Sequence, residues 1–496
     1  MERIDALFVR APRFYIDGIT GVIFPEEALY PTILEKNGFI ARFLNPEIVE
    51  RRFQPQLYPK KDAYVSQDKL LTGFTKNENH PRWKFLSFYI KKLMPKMVFI
   101  SHRHPSDFSV TLKTAEIIKR IDPNLLTISI HLTSEEAKIY LENSKFIDIC
   151  IFGEPEYTIL EIMKEYKKGN LKKIRKIKGL VIRKNEKIIP TEKREIERNL
   201  DKFPIPDRDL VIRKEWFPPS AFGIVEIGRG CIYSCNFCGI KPPLRLRSPE
   251  LVVKEIMMIM KKYKTRDFKL AASSLLHNKE WIKKFCEIIK KKKLEIVWGG
   301  FMNINQIEEE IIKLMKSSGF IETDVGIESG SVSILNEFNK LQNLSIIGSD
   351  YNRLYKKIAI LKRNKILWRS GVIFGLPEEN LDDLKEDIKI LRTLKPDFLR
   401  FQFLVPKVGT IWFKKVNKEN KNKTISLDKL HTGYSFFKKG KEKKIYYSLW
   451  EKMEKVSSIS EKNYLIKRFL KPKVLFLKTT EYFYFLKNLF IYGHTK

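Results

Sequence analysis

Short apolar runs alternate with longer stretches of helical periodicity over the first third of the chain. The runs predict buried strands, and the stretches between them predict amphipathic helices. The predicted strands are Ile4–Val9, Ile40–Leu44, Met97–Ser101, Leu126–Ile130 and Phe146–Phe152. The predicted helices are Ala28–Asn37, Phe108–Ile121, Ser134–Asn143 and Glu156–Lys168. Strands that alternate with helices build a parallel sheet with helices on both faces, so this part is predicted to be a doubly wound α/β domain.

The same alternation resumes at Ala221 and continues for six strands with helices between them. The predicted strands lie near Gly223–Ile227, Phe268–Ala272, Leu294–Trp298, Ile321–Ile327, Ile366–Phe374 and Phe398–Leu404. The predicted helices lie near Ser248–Tyr263, Asn278–Lys292, Asn305–Ser317, Ser345–Arg363 and Leu381–Leu394. Six strands separated by helices predict a partial (β/α)6 barrel that is open on one side.

These patterns divide the chain into four parts: a Rossmann-like domain at 1–175, a β-hairpin with a proline-rich linker at 176–220, the barrel at 221–411, and a basic, aromatic, helical extension at 412–496. Residues 47–94 are polar and aromatic, and their pattern predicts no element. In the extension, Leu475–Tyr492 is apolar with two lysines. It is predicted either to lie on a membrane surface or to pack over the open side of the barrel.

The charge balance is strongly basic, with 94 Lys and Arg against 59 Asp and Glu, or a net charge of +35. An excess of this size fits a nucleic-acid or anionic-membrane partner. It also fits a general lysine bias, because the basic residues are scattered and Ile, Asn and Phe are plentiful too. We favour the second interpretation and expect no nucleic-acid partner.

Five cysteines, three of them clustered, argue against a disulfide framework and for a reducing, cytoplasmic compartment. No signal peptide and no spanning helix are expected, and membrane contact is left to the tail. Cys150 lies in a predicted strand and Cys286 on a predicted helix, so both are expected to be buried packing residues.

The other three cysteines follow a predicted strand with the spacing Cys231-x3-Cys235-x2-Cys238. Three thiolates on a short loop can ligate one compact metal centre. Structural zinc normally takes four protein ligands, and the next His or Cys in the sequence is His277. A cubane iron–sulfur cluster fits three cysteines better, because one iron then stays open for a substrate. Three unrelated cysteines or a degenerate zinc loop are the alternatives.

This loop, with Phe237 before its last cysteine, resembles the signature of the radical S-adenosylmethionine (radical SAM) enzymes. The resemblance implies a [4Fe–4S] cluster on Cys231, Cys235 and Cys238, with S-adenosylmethionine chelated by the open iron. In that family, reductive cleavage of S-adenosylmethionine gives a 5′-deoxyadenosyl radical. Flavodoxin or ferredoxin is the expected class of reductase partner.

Two later segments are similar to the cofactor-binding segments of the same family. Gly326-Ile-Glu328-Ser329-Gly330-Ser331 ends the fourth barrel strand, on the ribose and methionyl side. Gly371-Val-Ile373-Phe-Gly375-Leu-Pro-Glu378 ends the fifth, on the adenine side. The resemblance thus implies cofactor contacts for Phe237, Glu328, Ser329, Gly330, Gly371, Ile373, Gly375 and Glu378.

The N-terminal part resembles the cobalamin-binding domain that precedes the barrel in one radical SAM subgroup. The matching pieces are His131-Leu-Thr133, Gly153-Glu154-Pro155-Glu156 and the linker from Leu200 to Arg208. The Asp-x-His-x-x-Gly cobalt-ligand motif is absent. Ile128 and Ser129 replace the usual Gly-Gly pair, and a branched side chain there is expected to crowd a flat macrocycle. Cobalamin binding and an empty sheet both remain open.

The sequence therefore predicts a radical SAM enzyme that abstracts hydrogen from an unreactive carbon of a small-molecule or lipid-like substrate. Cobalamin-dependent methyl transfer is one outcome, and cyclisation, oxidation or rearrangement without cobalamin is another. An RNA-modifying enzyme and a non-catalytic, cluster-stabilised binding protein are the rivals. Ala271-Ala-Ser-Ser274 predicts a weakly polar wall at the end of the second barrel strand. His102 and His104 are expected to be solvated loop residues, with a ligand-facing role as the alternative.

Overall fold

The structure is a computed structural model that describes residues 3–12, 22–49, 73–102, 107–185, 187–341, 351–376, 378–419 and 471–476, with single residues between 444 and 470. His104 and most of the predicted tail segment Leu475–Tyr492 lie outside the described residues. Among the residues that are described, no helix has both the length and the apolar character needed to cross a bilayer.

A seven-stranded sheet forms the N-terminal part. Its strands are β1 (Ala6–Arg10), β2 (Ala41–Leu44), β3 (Met97–Ser101), β4 (Leu126–His131), β5 (Ile149–Phe152), β6 (Leu180–Lys184) and β7 (Lys187–Pro190). Its helices are α1 (Pro25–Glu35), α2 (Pro81–Leu93), α3 (Phe108–Ile121), α4 (Ser134–Asn143), α5 (Glu156–Lys167) and α6 (Leu171–Ile174). The strand order is β2-β1-β3-β4-β5-β6-β7, in which the first five strands are parallel and β6 and β7 add an antiparallel hairpin.

The two faces of this sheet bury alternate residues of each strand, as a doubly wound sheet requires. Phe8, Phe99 and Ile128 pack on the face covered by α1 and α5, and that apolar cluster continues into the barrel. Val9 and Ile100 pack on the other face, with side chains of α2, α3 and α4. The doubly wound prediction is confirmed. The helix α2 corrects the sequence analysis, which predicted no element between residues 47 and 94.

Six parallel strands form the second sheet. Its elements, with the small ribbon β9–β10, are β8 (Ile224–Glu226), β9 (Gly228–Arg229), β10 (Arg245–Leu246), α7 (Pro249–Tyr263), β11 (Asp267–Ala271), α8 (Lys279–Lys291), β12 (Val297–Met302), α9 (Glu309–Ser317), β13 (Phe320–Val325), α10 (Val332–Glu337), α11 (Asn352–Arg363), β14 (Leu367–Phe374), α12 (Leu381–Leu394) and β15 (Phe398–Phe403). The strand order is β15-β14-β13-β12-β11-β8. Two short helices follow, α13 (Ile411–Glu419) and α14 (Pro472–Phe476). No ladder joins β8 to β15 in the described part of the chain, so the partial-barrel prediction is confirmed.

The third barrel strand and the helix after it both begin later than predicted. The third barrel strand begins at Val297 and runs to Met302, later than the predicted Leu294–Trp298. The next helix begins at Glu309 rather than Asn305, because a 3-10 turn at Ile304–Gln306 comes first. The missed strand residues include Gly299 and Gly300, which lack the apolar side chains that the pattern depends on. An added Cβ at Gly299 would lie 2.6 Å from the carbonyl oxygen of Glu322 on the neighbouring strand.

A buried ionic triad joins the linker to the barrel. Arg208 of the linker donates to one oxygen of Glu255 on α7 at 2.8 Å, and Arg247 donates to the other at 2.7 Å. Arg208 and Glu255 are fully buried, and Arg247 is 5% exposed. Arg208 also donates to the carbonyl of Ile224 at 2.8 Å, which ties the linker to the first barrel strand.

The described tail residues contact the amino ends of the barrel strands. Arg468 donates to Glu322 of β13 and to Asp267 at the start of β11, each at 2.6 Å. Tyr464 donates its hydroxyl to the same Glu322 carboxylate. These groups are nearly buried, so the described tail residues Tyr464 and Arg468 cover part of the barrel end opposite the cysteine loop.

Candidate active site

Three cysteines lie on the loop between β9 and β10, at the carboxyl end of the first barrel strand. The N–H of Tyr233 donates to the sulfur of Cys231, and the N–H of Ile240 donates to that of Cys238, each at 3.4 Å. The five cysteines are all described, and they form no disulfide. Backbone donors that point at sulfur stabilise thiolates, as cluster ligands require.

Gly230 fixes how the chain enters this loop. Its φ is +79°, and an added Cβ would lie 2.0 Å from the carbonyl oxygen of Pro243, just before β10. Only glycine fits such a close approach in the left-handed region. The residue directly before Cys231 is therefore set by the backbone of the ribbon.

Burial raises the pKa of the Cys235 thiol, and Lys340 acts in the opposite direction. A free thiol here keeps its proton at neutral pH. Binding of iron would replace that proton, because a metal-bound cysteine is deprotonated. Cys150 and Cys286 are buried elsewhere in the two apolar cores, as predicted.

His277 lies beside the first cysteine, and sequence reasoning missed it. Its Nε2 is 3.6 Å from the sulfur of Cys231 and 2.9 Å from the hydroxyl of Ser273. Gln306 lies 3.4 Å from its Nδ1. Burial lowers the pKa of His277 to about 4, so the imidazole is neutral at pH 7. The signal was its place just after β11, where side chains reach the carboxyl edge of the barrel.

The wall after the second barrel strand is more polar than predicted. Ser273 donates to the carbonyl of Gly230 at 2.6 Å, and Ser274 is buried and donates to Gln306 at 2.8 Å. Together with His277, these groups form a hydrogen-bonded network. The weakly polar wall expected from Ala271-Ala-Ser-Ser274 is therefore wrong, because Gln306 and His277 come from elements that the local sequence did not place there.

Glu328 lies in the first of the two predicted cofactor segments, and its backbone pairs with the second. Its φ is +68°, and its backbone pairs with β14: its N–H donates to the carbonyl of Gly371 at 3.0 Å and its carbonyl accepts from Ile373 at 2.7 Å. Its carboxylate pairs with the ammonium of Lys340 at 2.8 Å. That ammonium lies 5.6 Å from the ring centroid of Phe237. The fold thus brings Phe237, Glu328, Gly371 and Ile373 together beside the cysteines.

Lys340 is a second residue that sequence reasoning missed. It is 8% exposed, and although burial lowers its pKa, the Glu328 carboxylate and the nearby cysteine sulfurs raise it further. A buried cation suits a site where thiolates and a carboxylate converge. No sequence signal identified it, because its role depends on the chain returning after α10.

Ser329 and Gly330 are held beneath α12 rather than in the open cleft. The Ser329 hydroxyl donates to Asp387 at 2.7 Å, and the N–H of Gly330 donates to the same oxygen. Ser329 is fully buried. An added Cβ at Gly330 would lie 2.5 Å from the carbonyl oxygen of Glu386. These two residues therefore shape the turn that presents Glu328.

The last predicted segment has a buried carboxylate one residue later than expected. Gly375, with φ +85°, donates its N–H to Glu379, which is 2% exposed. Glu378 is about half exposed and pairs with Lys415 at 2.9 Å. The structure thus turns Glu378 outward and uses Glu379 to hold the glycine turn.

The carboxyl edge of the N-terminal sheet is anchored to the ribbon that carries the cysteines. Arg245 of β10 donates to Glu154 at 3.0 Å, just after β5. Arg229 of β9 lies 2.8 Å from the buried carboxylate of Glu156. Arg229 is two residues ahead of Cys231. The position of the cysteine loop therefore depends on contacts with both sheets.

The two residues that replace the Gly-Gly pair do not stand at this edge. Ile128 and Ser129 are fully buried inside β4, which continues to His131. The expected crowding of a macrocycle by Ile128 is therefore wrong, because its side chain packs into the face of the sheet. The edge itself presents Leu132, which is 78% exposed, and Gly153, around whose missing Cβ nothing lies within 4 Å.

His102 is also not the solvated loop residue that was expected. Its side chain is 5% exposed and lies 3.2 Å from the carboxylate of Glu136. The reason is that the residue directly follows β3 and turns under α4, where it packs on Tyr140 with ring centroids 5.0 Å apart.

Comparisons with known proteins agree with this geometry. Residues 225–391 match the family model described as Radical SAM superfamily. The chain is 26% identical over 331 residues to an uncharacterized methyltransferase of Pyrococcus horikoshii, covering 65% of this chain and 70% of that protein. It is 26% identical over 333 residues to an anaerobic magnesium-protoporphyrin IX monomethyl ester cyclase of Rubrivivax gelatinosus, covering 64% of this chain and 58% of the cyclase.

The fold is also similar to that of a solved structure. The radical S-adenosylmethionine methyltransferase TsrM from Kitasatospora setae, with cobalamin and a [4Fe–4S] cluster bound, superposes with a TM-score of 0.63 at 14% identity, covering 84% of this chain and 75% of that one. The likeness extends over both sheets. Residues 225–391 of this chain therefore form a radical SAM domain, and the domain that precedes it shares the fold of the corresponding part of that solved structure.

Proposed function

We propose that this enzyme functionalises an unactivated carbon of a small-molecule or lipid-like substrate, and that methyl transfer with cobalamin is its reaction. One observation carries the proposal. The cysteine loop at the mouth of the barrel is fixed by Arg229 and Arg245 to the carboxyl edge of the N-terminal sheet. Ligands of open α/β sheets bind at such edges. Two cofactor sites would then border one cleft.

The cysteine loop supports a [4Fe–4S] cluster by its donor set. Cys231, Cys235 and Cys238 supply three sulfurs, backbone N–H groups point at two of them, and Lys340 adds a buried positive charge. When bound, the cluster supplies the electron that cleaves S-adenosylmethionine. A flavodoxin or ferredoxin is the proposed source of that electron.

Binding of S-adenosylmethionine is proposed for the neighbouring strand ends. The carboxylate of Glu328 can accept a hydrogen bond from a ribose hydroxyl or an ammonium group. Phe237 and Ile373 pack in one apolar cluster, which offers a flat surface for an adenine ring. Gly371 keeps the strand surface free of a side chain at this point. These residues bind and orient the cosubstrate and exclude water from it.

Cobalamin is proposed to sit over the edge at Leu132 and Gly153. Ile128 and Ser129 are buried below this edge and leave it clear. The exposed leucine and the open space at Gly153 suit a large, flat, partly apolar ligand. When bound, cobalamin supplies a methyl group for transfer.

The test is anaerobic reconstitution with iron and sulfide, followed by reduction in the presence of S-adenosylmethionine and added cobalamin. We expect one cluster per chain, release of 5′-deoxyadenosine, and a cobalamin absorbance that stays with the protein through gel filtration. Cys235→Ala should lose the cluster and the nucleoside. Cys286→Ala, which removes a buried thiol elsewhere, should retain both. A loaded, reduced protein that forms no 5′-deoxyadenosine would overturn the proposal.

Oxidative ring closure is the second candidate, and the similarity to anaerobic magnesium-protoporphyrin cyclases favours it. Phe301 on β12 is 47% exposed, and it offers an apolar contact to a flat substrate. The two candidates separate on the cobalamin measurement: a protein that makes 5′-deoxyadenosine yet retains no cobalamin would favour the cyclase class.

A further inference from the structure

Two histidines and a glutamate meet in the N-terminal domain, away from the cysteine loop. His102 follows β3, His131 ends β4, and Glu136 lies in the first turn of α4. One possible ligand atom from each lies within 4.8 Å of the others. Nε2 of His102 is 3.2 Å from Oε1 of Glu136. Three elements that are distant in sequence therefore place metal-binding atoms around one point.

Three of the four ring nitrogens in this cluster have no hydrogen-bond partner among the described residues. His131 is 2% exposed, and among the described residues neither of its ring nitrogens has a hydrogen-bond partner. The same holds for Nδ1 of His102. Buried polar groups are nearly always paired, and each exception calls for a ligand or a water. The second oxygen of Glu136 accepts from the N–H of Leu132 at 3.2 Å, which fixes the carboxylate.

The protonation states suit metal binding. Burial, with the nearby His102, lowers the pKa of His131 to about 3. Burial would raise the pKa of Glu136, but the hydrogen bond and charge of His102 bring it down to about 2. At neutral pH the pair is thus a neutral imidazole and a carboxylate, the forms that ligate metals.

We propose that His102, His131 and Glu136 form a binding site for a divalent first-row transition metal ion such as Zn²⁺. Two imidazole nitrogens and one carboxylate oxygen are a common ligand set for zinc, with water in the fourth position. Imidazole also selects this class of ions over Mg²⁺ and Ca²⁺, which prefer oxygen ligands. The ion would tie β3, β4 and α4 together.

This site is separate from the chemistry of the barrel. His131 packs on Tyr140 of α4, with ring centroids 4.3 Å apart, on the sheet face covered by α2, α3 and α4. The apolar cluster shared with the barrel lies on the opposite face. A test of this metal site therefore does not depend on the reaction at the cysteine loop.

The test uses the full-length chain with Cys231, Cys235 and Cys238 replaced by alanine, so that the cluster site cannot take the probe. Titration with Co²⁺ should show one equivalent bound, with d–d absorption bands and no thiolate charge-transfer band, and Zn²⁺ should displace it. Glu136→Gln and His102→Asn should each weaken Co²⁺ binding more than about tenfold. Glu135→Gln, an exposed neighbour on the same helix, should leave the affinity unchanged.

A thermal melt without metal checks that each variant folds. If one of the two variants does not fold, His131→Asn is tested in its place. Absence of saturable Co²⁺ binding in the chain with the three alanine substitutions would overturn the proposal. The proposal would also be overturned if the Glu136→Gln and His102→Asn proteins folded and bound Co²⁺ with the same affinity as the parent chain.

Discussion

Glu255 offers a direct test of how the linker is held to the barrel. Its two carboxylate oxygens each accept from one arginine, at 2.8 Å from Arg208 and 2.7 Å from Arg247. The substitution Glu255→Gln removes the charge and one acceptor. Both guanidinium groups then stay buried beside a neutral amide that offers one acceptor oxygen in place of two. Neither arginine can reach water unless the linker moves.

Removal of one partner from a buried ionic group costs about 3–5 kcal/mol. In a cooperative unit of about 150–250 residues, each kcal/mol lowers Tm by about 2–4 °C, so we expect a fall of roughly 6–20 °C. Differential scanning calorimetry of the metal-free protein measures it.

Glu250→Gln is the matched control, because it is the same chemical change on the same helix. Glu250 pairs with Lys284 at 2.6 Å, but both side chains are more than half exposed, at 53% and 58%. An exposed pair of this kind contributes at most about 1 kcal/mol. If the two variants melted at the same temperature, the buried triad would not join the linker to the barrel as described.

Three further substitutions test other parts of the structure. Arg468→Met removes the cation that two nearly buried carboxylates share at the amino end of the barrel, so it should lower Tm by several degrees in calorimetry. The control Lys467→Met, at a side chain that is 57% exposed, should leave Tm unchanged. Equal Tm values for the two variants would contradict the role given to the tail residues. Burial raises the pKa of Asp387 from 3.8 to about 6, so the folded protein keeps a proton that the unfolded chain releases, and stability falls by about 3 kcal/mol in total as the pH rises from about 3 to 7. Asp387→Asn lacks this loss, so its Tm relative to the wild type should increase over that range, and a constant difference would contradict the assignment. Gly330→Ala places a Cβ 2.5 Å from a backbone oxygen of α12 and should reduce both Tm and 5′-deoxyadenosine yield, while Gly371→Ala, with its nearest contact at 3.7 Å, should leave Tm within about 2 °C of the wild type.

The repeating pattern of the chain predicted the fold well, because periodicity reports which face of an element is buried. Met97–Ser101, Phe108–Ile121 and Leu381–Leu394 have the predicted bounds. The third barrel strand was placed too early because Gly299 and Gly300 break the apolar run. A strand that packs by close backbone approach leaves little signal in a pattern of side chains.

The candidate site was predicted only as far as local motifs reach. The cysteine spacing and the position of Glu328 can be read from neighbouring residues. Lys340 enters the site through the return of the chain after α10, so no local pattern marked it. His277 follows β11 closely, so its position was a signal that the motifs did not include. Glu379 shows the limit most clearly, since the motif pointed to the residue beside it.

The anchoring of the cysteine ribbon by Glu154 and Glu156 links two equilibria. If docking of the N-terminal sheet preorganises the loop, then iron binding must favour docking by the same free energy, because linkage is reciprocal. Loading the cluster would therefore shift the equilibrium toward the docked arrangement. Conversely, a charge reversal at Glu156, in the N-terminal domain, would weaken iron retention.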